Sequence, residues 1–97
     1  MANLAQREQD CERVVHVLKA IAHPLRLRII AILCQAEKNV SELADALDAN
    51  QAIVSQQLRI LRMSGLVEAS RQEGFAVYRL AEPNLKKLIR CVGECCC

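Results

Sequence analysis

Reactive chemistry in this chain is concentrated at its C-terminal end. Four thiols, Cys91, Cys95, Cys96 and Cys97, fall within the last seven residues, and the other two cysteines are Cys11 and Cys34. On an intact helix Cys91 and Cys95 are i, i+4 neighbours with Cβ atoms about 5 to 6 Å apart. A disulfide wants roughly 3.5 to 4.5 Å and would have to distort that helix, whereas a soft thiophilic centre between the two sulfurs spans the longer gap. Packing explains such a cluster poorly at a terminus that would otherwise fray. Cys34 has no cysteine within a helical turn and reads as a buried thiol acting as a small hydrophobe.

A second concentration is polar and basic. Gln51, Ala52, Ser55, Gln56, Gln57, Arg59 and Arg62 lie in a stretch without a single acid between Asp48 and Glu68. Glutamine pairs with adenine N6 and N7, arginine with guanine or phosphate, and serine with either. Net charge is only +2, too weak to argue for nucleic acid by itself. Its distribution says more: residues 1–50 carry seven acids against six bases, and residues 51–97 carry four acids against seven bases. Cys–His catalysis needs a pocket and a paired base, and neither His16 nor His23 stands beside a thiol, so no enzyme is expected.

These residues need elements to place them. Ser41 to Gly65 predicts a short helix, a tight turn and a longer second helix, together a helix-turn-helix over 41–64. Ser41 is the expected N-cap of its first helix, with Glu42 favoured by the dipole of the first turn. Asn50 caps the second helix, and Gly65 is a left-handed stop. Val54, Leu58 and Leu61 recur at i, i+4 and i+7 as a buried stripe, which turns the glutamines and arginines outward. The N-terminal part of the second helix is where a helix-turn-helix makes base contacts. Residues 66–81 then read as a hairpin around Gln72-Glu73-Gly74, a wing whose Arg71 and Arg79 reach toward phosphates.

Before this unit come an amphipathic helix over 5–21, apolar at Cys11, Val14, Val15, Val17, Leu18 and Ile21, and a mostly apolar helix from Pro24 to about Ala36. After it, Pro83 opens a last helix within 83–97, with a stripe of Leu85, Leu88, Ile89 and Val92 suited to a dimer interface. At 97 residues the chain is one domain, 1–97, whose own core is marginal, so burial against a second copy is expected. Only Phe75 and Tyr78 are aromatic, which favours packed helices of Leu, Ile, Val and Ala. The expected class is mainly α with a small β-hairpin. No run approaches the roughly 18 to 20 apolar residues of a membrane span, and the N-terminus lacks an apolar signal region. A cytoplasmic location follows as the expectation. It keeps thiols reduced and makes the cysteines metal-binding or redox-sensing rather than structural.

AHPLRLRIIAIL, NVSELADAL and QAIVSQQLRILRMSGLVEASRQEGFAVYRL together resemble the winged helix-turn-helix of the arsenical-resistance and metallothionein repressor family (ArsR/SmtB), across roughly residues 10–90. The Pro and Arg opening of the second helix, the SELA helix, the VSQQLRILR recognition helix, the SGLV exit and the wing ending in a Tyr match in order and spacing. The resemblance implies a homodimer, with the first and last helices at the interface, that represses a promoter through operator DNA until an inducer binds. Departures narrow the inducer. The arsenic-sensing members with Cys-Val-Cys before the turn would need cysteines near Leu43 to Asp45, where there are none. The zinc-type site in the last helix uses Asp, His and Glu, where this chain has cysteine. The persulfide-sensing branch has a cysteine where Ala31 stands, three residues before Cys34, and a second at the position of Cys97, so its pair is incomplete here.

Trivalent arsenic or antimony prefers three thiolates in a pyramid. Cys95, Cys96 and either Cys97 or Cys91 supply three once the last turn unwinds, which Gly93 eases, and Cys11 completes the site from the other protomer in a further variant. The expected function is therefore a DNA-binding repressor released by As(III) or Sb(III). Alternatives of the same fold are a thiol-redox or persulfide sensor and a sensor of a soft divalent metal such as Cd, Pb, Hg or Zn. A metal-buffering module is the rival from another class, and it leaves the Gln and Arg face unexplained.

Overall fold

A computed structural model describes residues 4–95, with side chains for residues 5–93. A single 3-10 turn at Leu4–Gln6 precedes five helices, α1 (Glu8–Ile21), α2 (Pro24–Leu33), α3 (Val40–Leu47), α4 (Gln51–Met63) and α5 (Leu85–Cys95), and three strands, β1 (Lys38–Asn39), β2 (Val67–Gln72) and β3 (Phe75–Leu80). The strands form one antiparallel sheet in the order β1-β3-β2. The winged helix-turn-helix is therefore present, with a short third strand that the sequence does not announce. Two residues, Lys38 and Asn39, pair with Tyr78 and Val77, and a strand that brief carries no periodicity to detect.

The core is aliphatic. Ile29, Ile30 and Leu33 of α2, Leu43, Ala44 and Leu47 of α3, and Val54, Leu58 and Leu61 of α4 pack together with Leu66, Val67 and Leu85. Neither aromatic belongs to it: Tyr78 is only half-buried, and Phe75 at the wing is 62% exposed. α1 contributes only Ala20 and Ile21 as buried residues. Its Val14, Val15 and Leu18 are 40%, 45% and 45% exposed, so the apolar face read from the sequence is real and has no cover among the described residues.

Capping accounts for most of the helix limits and corrects several expectations. α3 is capped by Asn39 rather than Ser41: the Asn39 side chain accepts from the Glu42 N–H at 2.8 Å, and the Glu42 carboxylate accepts from the Asn39 N–H at 3.0 Å. That reciprocal box satisfies two amide donors at once, more than a lone serine hydroxyl manages, and it leaves Ser41 inside the first turn. α2 starts with His23, whose Nδ1 accepts from the Leu25 N–H at 3.2 Å, and with Pro24 at the first position. It ends at Leu33, short of Ala36, because the chain must straighten to lay β1 beside β3. α1 begins at Glu8 rather than residue 5. Pro83 sits in the turn before α5, which starts at Leu85, and the Glu82 carboxylate there accepts from the Asn84 N–H at 3.2 Å.

α4 is defined sharply at both ends. Asn50 Oδ1 accepts from the Ala52 N–H at 2.7 Å. At the other end Gly65 has φ +79, its N–H donates to the Arg62 carbonyl, and the Leu66 N–H donates to the Leu61 carbonyl, each at 3.0 Å. These two bonds make a Schellman motif, completed by apolar contact between buried Leu61 and Leu66. The α3–α4 turn uses Asp48 at φ 51, a left-handed position that Asp tolerates better than most residues. The wing closes with Glu73 and Gly74 at φ 51 and 84, between paired Gln72 and Phe75. This two-residue primed turn matches the twist of the strands it joins.

Leu58→Ala or Leu61→Ala should destabilise the fold by about 2–5 kcal/mol through loss of burial and a residual cavity. Asn39→Ala should cost about 1 kcal/mol, and Met63→Ala, at a position 79% exposed, should stay within about 0.5 kcal/mol. Urea unfolding at one fixed protein concentration measures all four, and an equal effect of Leu58→Ala and Met63→Ala would contradict this assignment of the core.

Candidate nucleic-acid interface

The burial of Val54, Leu58 and Leu61 fixes which way α4 faces, since all three are fully excluded from solvent. Gln51, Ala52, Ser55, Gln56, Arg59 and Arg62 are all exposed on the remaining surface. Among the described residues none of these side chains makes a hydrogen bond or ion pair, so their donors and acceptors are available to a ligand. The face runs from Gln51 to Arg62, about 16 Å at 1.5 Å per residue, and it begins at a helix N-terminus where the positive end of the dipole favours a phosphate. It is polar and unpaired, carries two cations and no anion, and has the width of a single helix, which is what a major groove admits.

Three of the residues proposed from sequence stand apart from this row. Gln57 is half-buried, and its Oε1 is buried without a hydrogen-bond partner. Arg79 is engaged within the sheet: it pairs with Glu68, its direct cross-strand neighbour, at 2.8 Å and donates to Ser70 Oγ at 3.0 Å. Arg71 donates to the Gly74 carbonyl at 3.1 Å, which holds the wing tip together while leaving the residue exposed. The outward side of α4 also bears apolar residues that periodicity alone does not single out. Ile53 is 48% exposed and Ile60 36%. A sequence reading that assigns apolar residues to the core passes over them.

His16 links the first helix to this face. Its Nε2 lies 3.2 Å from the Ser64 carbonyl oxygen, and Ser64 is the C-cap of α4. The same end of α4 borders a groove lined by Val14, Val17 and Leu18 of α1, Gly65 and Leu66, and Leu85 and Leu88 of α5. An exposed histidine is thus the polar contact between the open apolar face of α1 and the end of the outward-facing helix.

The cysteines divide by environment. Cys91 on α5 is an exposed free thiol, and Cys34, at the C-cap of α2, is a half-buried one. Burial pushes the Cys34 thiol above its ordinary value, and Lys86 and Arg90 of α5 offset part of that shift. Cys11 is half-buried on α1. The backbone of Cys95 closes α5, but its side chain, and all of Cys96 and Cys97, lie outside the described residues, as does any metal-binding set that includes them. Among the described residues no group of three or more His, Cys, Asp or Glu is placed to hold a metal ion, and no helix is long and apolar enough to cross a membrane.

Known proteins resemble both the sequence and this geometry. Residues 23–69 match the family model of bacterial regulatory proteins of the arsR family. The biofilm growth-associated repressor of Agrobacterium fabrum is 38% identical over 94 residues, covering 97% of this chain and 80% of that protein. The crystal structure of the transcriptional repressor BigR from Xylella fastidiosa superposes with a TM-score of 0.91 at 32% identity, covering 99% of this chain and 98% of that one. The solution structure of a homodimeric winged helix-turn-helix DNA-binding domain from Mycobacterium bovis gives a TM-score of 0.80 at 33% identity, covering 99% and 90% of the two chains.

The Cys34 environment makes a separate expectation. Thiolate is the form that iodoacetamide attacks, so Cys34 should be alkylated more slowly than Cys91 at pH 8. Because folding favours its protonated form, that protection and its small contribution to stability should persist below the ordinary thiol pKa and disappear at more alkaline pH. Mass spectrometry of the timed reaction checks this, and equal labelling rates at pH 8 would contradict it.

Proposed function

The chain belongs to the arsR family of bacterial regulatory proteins, and on that footing we propose that it is a homodimeric repressor. In this reading it holds operator DNA with α4 and releases it when trivalent arsenic or antimony binds the cysteines at the end of α5. The observation that carries the DNA-binding half is the unpaired, acid-free face of α4, from Gln51 to Arg62. Gln51, Ser55 and Gln56 sit where bases are read, and Arg59 and Arg62 where a phosphate is met. Similarity to two repressors and to a homodimeric DNA-binding domain supports repression and pairing. A transcription factor of this kind works in the cytoplasm.

Pairing is also supported by what α1 and α5 leave open. Val14, Val15 and Leu18 on α1 and Val92 on α5 are each at least 40% exposed, and a second copy laid on that face would bury them. The two α4 helices of such a dimer must present themselves one helical turn apart, about 34 Å. The α1 helix carries both the interface residues and His16, which holds the Ser64 carbonyl, so a change in how the α1 and α5 helices pack is transmitted to the end of α4. An inducer that binds only the rearranged dimer shifts the population away from the DNA-competent spacing. A preference of several kcal/mol for that state empties the operator.

The inducer reading rests on Cys91, exposed on α5, and on the three cysteines that follow it in sequence. Three soft thiolates suit a trivalent metalloid, and a soft divalent metal would use the same donors. One observation favours a second reading. Cys34 faces the same helix, within electrostatic reach of Lys86 and Arg90, so a rival chemistry for the same switch is oxidation by a polysulfide, which persulfidates one thiol; a thiolate of the Cys34 and C-terminal cysteine pair then attacks that persulfide, forming a disulfide and expelling hydrosulfide.

Two experiments test the two halves. Gln56→Ala should relax discrimination at one base position, while Arg59→Ala should weaken binding to all sequences and lower the salt slope by about 1. DNA binding indifferent to both would remove α4 from the interface. Replacing Cys95 and Cys96 by serine should preserve operator binding and abolish release by arsenite, measured by fluorescence anisotropy with labelled operator. If arsenite still releases the variant, the inducer site is elsewhere. Loss of response to polysulfide in Cys34→Ser, with arsenite inert on the native protein, would decide for the redox reading.

A further inference from the structure

We propose that Ile53 is a specificity residue: that it packs against the C5-methyl group of a thymine in each operator half-site. This deepens the reading of α4 as the DNA-contacting helix and rests on it. Ile53 occupies the third position of α4 and is 48% exposed, although its neighbour Val54 is wholly buried. It belongs to no part of the core, including the half-buried shell around it. Nor does helix formation ask for it, since a β-branched side chain is a poorer choice there than Ala, Gln or Lys. A large apolar group left in water in the first turn of the helix is therefore free to meet a partner that arrives with the ligand.

Its neighbours indicate what that partner is. Gln56 is three residues on and so shares its side of the helix, and Ala52 precedes it. The N-terminal turns of such a helix lie closest to the base edges. Arg59, farther along, and the free amides at the helix start supply the attraction to an anionic partner. Among the features that base pairs present in the major groove, the thymine methyl is the apolar one. Set against a cytosine amine or a guanine carbonyl, the Ile53 side chain would strip a polar edge of water and offer it no hydrogen bond, which is unfavourable. Against thymine it removes apolar surface from both partners. Ile60 lies on the same flank, seven residues and about 10 Å farther along the axis, away from the N-terminal turns, and serves as an internal control.

The test uses the full chain and an operator selected with the native protein. Each thymine in a half-site is replaced in turn by deoxyuridine, which removes one methyl group and changes nothing else in the base. Affinity is read by anisotropy at fixed salt. The native protein should lose about fourfold at one position per half-site, the worth of one buried methyl, and about fifteenfold when both half-sites are changed. Ile53→Ala should bind the thymine operator more weakly than the native protein does and bind the thymine and uracil operators equally. Ile60→Ala should keep the native ratio. A native protein with no uracil-sensitive position, or an Ile53→Ala variant that keeps the native ratio, overturns the proposal while leaving α4 as the DNA-binding helix. If Ile60→Ala alone abolishes the ratio, the methyl is read elsewhere and the proposal also fails. Absence of any sequence-selective binding by the native protein would overturn both the proposal and the reading beneath it. Thermal melting of Ile53→Ala guards the comparison, since a surface truncation should leave the midpoint nearly unchanged.

Discussion

Val54, Leu58 and Leu61 are fully excluded from solvent, and their spacing sets the rotation of α4 about its own axis. Everything outward-facing on that helix is a consequence. A helix of thirteen residues has room for one narrow stripe against the core, and here that stripe packs with buried residues of α2 and α3. The opposite side is then free to carry groups that would be a liability elsewhere: uncompensated arginines, unpaired amides and an exposed isoleucine. Buried aliphatic packing thus supplies the precision with which a polar face is presented, without any of the polar groups taking part in the fold.

The axial position of α4 is controlled separately, by its ends. Asn50 stops the helix from extending backward into the turn, and the Schellman bonds around Gly65 stop it from extending forward. Gly65 is in the left-handed region, where a side chain would be strained. With rotation set by the stripe and length set by the caps, the unit meets α1 through the buried Ala20 and Ile21. His16, on the Ser64 carbonyl, is the polar contact across that boundary.

Sequence periodicity gave access to the parts of this arrangement that repeat. The α4 stripe and the amphipathic first helix are visible as spacing, because three or more residues report the same face, and Asn50 and Gly65 are visible by residue type at the ends of that stripe. Features that depend on tertiary placement were not visible. The sequence pointed to Ser41 as the cap, and the reciprocal bonds between Asn39 and Glu42 that replace it show only once the backbone direction is known. Strand β1 is two residues long and exists because β3 offers it an edge. The engagement of Arg79 with Glu68 depends on the cross-strand register, which a one-residue slip would have reversed. Exposed Ile53 and Ile60 escaped notice for the opposite reason, since their type argued for burial. Cys34 read as a buried thiol and is only half-buried, and its proximity to Lys86 and Arg90 is a tertiary fact.

The open apolar face of α1 sets the scale on which a switch can operate. In the dimer proposed above, Val14, Val15, Leu18 and Val92 each start at least 40% exposed. Burying the remainder of four such side chains on each of two chains is worth on the order of 5–10 kcal/mol. That is the same order as the loss of translational and rotational freedom on association. An interface so balanced has a modest net drive to form and a weak preference for one particular arrangement, because small aliphatic side chains on two helices repack at modest cost. A ligand at the end of α5 need not break such a dimer. In the proposed dimer it would have only to favour a second packing by a few kcal/mol.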